Sequence, residues 1–137
     1  MRTNERSVAT RAGWICALAI VAAGAAITTA CHDSANAAPV ETIPGADAQR
    51  GKAAIEQIGC GTCHMIPGIH DANGLVGPPL EHWSRRAYIA GEVPNTPGML
   101  VRWIEMPQAV EPGTAMPNLG VTEQRARDIA AYLYTLR

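Results

Sequence analysis

Cys60-Gly61-Thr62-Cys63-His64 is the stretch on which the reading of this chain turns. Its two thiols stand three positions apart, and an imidazole follows at once. On a helical turn, positions i, i+3 and i+4 share one face, so two sulfurs and a ring nitrogen can address a single object. A tetrahedral zinc site would need a fourth ligand. His70 or His82 could supply it, yet no second pair at finger spacing follows. A thioredoxin-like redox pair needs a βαβ setting, and no strand pattern is visible along the chain. A plain disulfide leaves His64 without a purpose.

A porphyrin uses all three groups. Each thiol can add to one vinyl group of the ring, and the adjacent imidazole then points at the iron. The CxxCH spacing is the attachment signature of c-type haem. The expected cofactor is therefore one covalent haem c with its iron, held by Cys60, Cys63 and His64. Composition agrees. The chain has 137 residues, no Phe and only 4% aromatics, while 47% of its residues are hydrophobic. So small a domain has a thin aromatic core unless a large planar cofactor fills its centre. The formal net charge of -1 gives no pointer to nucleic acid.

Upstream, Arg2, Arg6 and Arg11 make the start basic, and residues 12–30 carry no charge. A charged segment followed by an apolar one is the pattern of an export signal. Two processing readings compete: cleavage after Ala35-Asn36-Ala37, or a lipobox-like ITTAC that leaves Cys31 lipidated, with Thr28 where Leu is usual. A third keeps the segment as a membrane anchor, near the roughly 20 residues a span requires. All three place the rest of the chain outside the cytoplasm, in the periplasm or on the outer face of the inner membrane. Residues 1–30 are read as this signal and 31–45 as a Pro- and Gly-bearing linker. Losing Arg2, Arg6, Arg11 and Glu5 leaves a mildly acidic remainder, which weakly favours basic partners.

Along the remainder, Asp47 is expected to cap a helix reaching Ile58, with Ala54, Ile55 and Ile58 as its apolar stripe. Gly59 ends it. Residues 66–80 read as loop and 81–90 as a short helix. Residues 97–106 read as another, opened by Pro97. Residues 107–121 return to loop. Thr122 is expected to cap a last helix through Leu136, with Ile129, Tyr132, Leu133 and Leu136 on one face. The fold class is all-α, with short helices and long loops that need something to wrap around.

Over residues 46–137 the sequence resembles the class I cytochrome c family. A Gly51-bearing helix precedes CGTCH. Gly77-Pro78-Pro79-Leu80 follows, then Gly113-Thr114-Ala115-Met116-Pro117, then a final helix with Ala131-Tyr132-Leu133. The resemblance implies the class I fold around one haem. It also implies that the Pro78 carbonyl supports His64, that Trp103 donates to a propionate, and that Gly51 lets the first helix pass closely against Tyr132. Proline offers only an acceptor, so residue chemistry suits the first of these roles.

The sixth iron ligand is a choice among methionines. Met65 adjoins His64 and cannot reach the opposite face. Met99 and Met106 fall in a helical region, where Met more often fills core gaps. Met116 lies on a Gly/Pro-rich loop able to curl over a haem face and in the family's setting, so it is the expected ligand, with Met106 as the alternative. Trp83 and Tyr88 are expected in the pocket or core; Arg85, Arg86 or Arg102 could meet a propionate. With both axial positions filled the iron has no open site, which points to a non-enzymatic carrier of single electrons between redox proteins such as a dehydrogenase, a quinol-oxidising complex or a terminal oxidase. The alternatives are a haem subunit docked permanently to one such enzyme, and a gas-binding or peroxidatic haem protein.

Overall fold

The computed structural model describes residues 41–137. The segment expected to direct export, Cys31 and the expected cleavage position after Ala37 lie outside the described residues. No helix among those described is long and apolar enough to cross a membrane.

The first helix, α1 (Ala48–Ile58), starts where a side chain can meet its first free N–H groups. Asp47 is extended, and its carboxylate accepts from the Arg50 N–H at 2.8 Å. Gly59, at φ 83°, ends the helix and returns its N–H to the Ile55 carbonyl. Residues 97–105 form α2 (Pro97–Glu105), with Pro97 in the first turn and Thr96 capping the Met99 N–H. A single turn, α3 (Pro107–Val110), follows. The last helix is α4 (Glu123–Thr135). Both α1 and α2 pack on α4. On these helices Ile55, Leu100, Ile104, Ile129 and Leu133 are buried, each contributing about 1.5–3 kcal/mol relative to an exposed side chain.

The α1–α4 crossing is as close as backbones can come. A Cβ built on Gly51 would lie 1.9 Å from the Asp128 carbonyl oxygen. The closest approach is to the Asp128 and Ile129 backbone. The Tyr132 hydroxyl donates to the Pro67 carbonyl at 2.7 Å, fixing the loop after the CGTCH segment. Beside Gly51 the Asp128 side chain is buried. It accepts from the Asp47 N–H (2.8 Å), from Arg50 Nε (2.9 Å) and Nη2 (2.8 Å), and from Gln124 (3.1 Å). The Arg50 hydrogen bonds hold its carboxyl below the ordinary range.

Three expectations are corrected. Residues 81–90 do not form a helix. They hold a 3-10 turn at Trp83–Arg85 and the strand β1 (Tyr88–Ile89), which pairs antiparallel with β2 (Val93–Pro94). His82 enters the turn at φ 54°, and Ala90 and Gly91 reverse the chain at φ 52° and 79°. Paired positive φ values suit a tight hairpin and break a helix. Residues 107–110, read as loop, are helical because Pro107 sits in the first turn, where its missing N–H costs nothing. Thr122 occupies the start of α4, but its hydroxyl makes no capping hydrogen bond.

Candidate haem site

Gly59 turns the chain out of α1 into a 3-10 turn over Cys60–Thr62. The His64 N–H then donates to the Cys60 carbonyl at 3.0 Å, so both sulfurs and the imidazole leave one compact turn. Cys60 and Cys63 are not joined to each other, and each is partly buried. Burial pushes the Cys60 thiol up, the opposite of the lowered value that a redox-active CxxC requires. Among the described residues no three His, Cys, Asp or Glu side chains gather in a way that could hold a metal ion. His70, one candidate fourth zinc ligand, is exposed and pairs with Asp71 at 2.9 Å.

His64 Nδ1 lies 2.8 Å from the Pro78 carbonyl oxygen. A proline carbonyl can only accept, so Nδ1 carries the proton and Nε2 is left with its lone pair for a metal. The loop bearing Pro78 is held from several sides. The Gly77 N–H donates to the Cys63 carbonyl (2.8 Å), and the Leu80 N–H to that of Met65 (2.8 Å). The Arg86 guanidinium donates to the carbonyls of Pro79 and Glu81. Gly77 must lack a side chain, because a Cβ there would lie 2.3 Å from the His64 ring.

Cys60, Cys63, His64, Pro78, Trp103 and Met116 all line one cavity of about 270 Å³. Its walls are otherwise mostly apolar, with Ile55, Leu80, Leu100, Ile104, Ile129 and Leu133 contributed by the three longer helices and the Pro78 loop. Trp83, Tyr88 and Arg86 also border it, whereas Arg85, Arg102 and Met106 do not. Met106 is half-exposed at the junction of α2 and α3. Met116 is packed against the core on its loop.

The residues present fit a haem. Two thiols and an imidazole emerge from one turn at the edge of an apolar cavity. The backbone beside the imidazole is stripped to glycine. In the cavity wall the Trp83 indole N–H is buried without an acceptor among the described residues, and a bound carboxylate is one group able to satisfy such a donor.

Several supports escaped the sequence reading. Gln108, on α3, donates to the Met116 carbonyl at 2.6 Å, and the Met116 N–H donates to the Thr114 hydroxyl at 3.2 Å. Asn95 donates to the carbonyls of Trp83 (3.1 Å) and Arg86 (3.0 Å) and accepts from the Tyr134 hydroxyl (3.0 Å). Burial pushes the Tyr134 phenol up to about 12, so it stays a donor at any ordinary pH. These bonds fix the turn that carries Trp83 and Arg86 to the cavity. Their only sequence signal was polar residues within apolar surroundings.

The family model for cytochrome c matches residues 48–137. No match was found among curated proteins. The chain belongs to the cytochrome c family, and its domain is that of a haem-binding c-type cytochrome with a covalent haem c and its iron.

Proposed function

We propose that the protein carries single electrons between redox partners outside the cytoplasm, with His64 and Met116 as the axial ligands of its haem iron. One observation carries this reading: Met116 lines the same cavity as Cys60, Cys63 and His64, while Met106 does not. The bound haem supplies an iron that alternates between the ferrous and ferric states. The protein's own residues keep that change small. Pro78 fixes the His64 tautomer and ring plane, and Gln108 and Thr114 hold the backbone on either side of the Met116 side chain. A soft thioether favours ferrous iron and so raises the reduction potential. The apolar walls keep water from the ligands and act in the same direction. Export rests on the basic start and charge-free residues 12–30, with cleavage after Ala37, lipidation of Cys31 and a retained anchor as its three forms.

The test is Met116→Ala. The ferric methionine-to-iron absorption band should vanish and the potential should fall. An unchanged spectrum would hand the role to another residue. Carbon monoxide should not bind the reduced wild-type protein at neutral pH; ready binding would favour a gas-binding or peroxidatic protein over a carrier.

A further inference from the structure

Several hydrogen bonds in the loop that carries Met116 to the cavity are internal to it. The Thr114 N–H donates to the Glu111 carbonyl (3.1 Å), the Gly113 N–H to Glu111 Oε1 (2.9 Å), the Met116 N–H to Thr114 Oγ1 (3.2 Å) and the Gly120 N–H to Asn118 Oδ1 (2.9 Å). Each joins partners two or three residues apart, so each survives if the loop moves as a body. The Gln108 bond is different. Its Nε2 donates to the Met116 carbonyl at 2.6 Å across eight positions. Gln108 stands on α3, whose Pro107 is fully buried. That turn follows directly on α2, the helix that brings Leu100, Trp103 and Ile104 to the cavity wall. The bond therefore fastens the residue bearing the thioether to the frame of the cavity.

A methionine ligand alternates between attached and detached positions, and the detached fraction sets how well an outside ligand competes with it. A hydrogen bond made in the attached position and lost in the detached one lowers that fraction. Residues 106–121 contain no lysine, histidine or cysteine to take the vacated place, and Met106 does not border the cavity. A detached Met116 therefore leaves its place to small molecules from solution. We infer that Gln108 is a positioning residue for Met116, whose side-chain amide holds the thioether in place and so keeps outside ligands off the haem. The inference rests on Met116 being the axial ligand and adds the group that decides how firmly it stays.

Cyanide, added to the ferric holoprotein, is the probe. It displaces the Met116 thioether: one iron–sulfur bond breaks, one iron–carbon bond forms, hydrogen cyanide gives its proton to the buffer, and no electron moves. Gln108→Glu keeps the shape of the side chain, but its ionised carboxylate has no proton to donate. Gln108→Ala removes the group altogether. Gln108 is exposed, so neither change disturbs the core. Before cyanide is added, both variants should keep the ferric methionine-to-iron band. Their cyanide affinity should rise about three- to tenfold, the factor that loss of one net hydrogen bond releases. In a Met116→Ala background no thioether has to leave, and the same Gln108 changes should alter the affinity by less than about twofold. A group that only shaped the cavity would act equally in both backgrounds. Wild-type affinity in both Gln108 variants, or an equal gain with and without Met116, overturns the inference while Met116 remains the ligand. A wild-type ferric spectrum in Met116→Ala alone would instead overturn the axial-ligand reading.

Discussion

Replacing Gly51 with alanine adds one methyl group at the α1–α4 crossing, and the geometry there sets the cost. The new Cβ would lie 1.9 Å from the Asp128 carbonyl oxygen and 2.4 Å from its carbon, where ordinary contact begins near 3.4 Å. Both obstacles are backbone, so no side chain can swing aside. The helices must separate by the difference, about 1.5 Å. A gap of 0.5–1 Å already forfeits roughly a quarter to a half of the dispersion energy of facing atoms. Alanine is also the better helix former by about 1 kcal/mol. Overpacking normally costs about 1–3 kcal/mol, and an unrelieved backbone collision lies at the top of that range. The net expectation is a loss of about 2 kcal/mol, read by urea unfolding of the holoprotein followed through far-ultraviolet circular dichroism. A loss under about 1 kcal/mol, or any gain, would show that the two backbones are not in the contact described.

Two further predictions concern the same framework. Asp128 has a folded pKa below its unfolded value, so its contribution to stability is present above the ordinary carboxylate range and is lost as the pH falls through the folded value. Asp128→Asn should therefore lower the urea midpoint at pH 7, and the gap from wild type should close below about pH 4; a pH-independent gap would contradict the ion pair with Arg50. Gly77→Ala should push the His64 ring off the Pro78 carbonyl. The imidazole then becomes a weaker donor to ferric iron and the potential should rise; a redox titration indistinguishable from wild type would remove Gly77 from the site.

Much of this protein could be read from particular residues. CGTCH dictated the haem because three groups on one turn have one shared use. Asp47, Gly59 and Pro97 marked helix ends because each solves a local backbone problem, and the structure places the ends there. Reading failed where the outcome depended on contacts far apart in sequence. The hairpin after Arg86 has only two-residue strands, too short for an alternating pattern, and is held by Asn95 reaching to Trp83 and to Tyr134. Arg50 and Asp128 are 78 residues apart, and nothing local pairs them. Gly51 was legible as a close approach, but that its nearest neighbours are the Asp128 and Ile129 backbone is a register that only the packing of α1 on α4 decides. Met106 and Met116 both precede proline; loop setting and family resemblance favoured Met116 in the sequence, and of the two only Met116 lines the cavity.

The most direct measurement is the intact mass of the protein isolated from cells that express it, taken under denaturing conditions. The account predicts a polypeptide heavier by one haem, with the addition lost when Cys60 and Cys63 are both replaced by alanine. A colourless protein at the bare polypeptide mass, with the two thiols free or oxidised to each other, would contradict it.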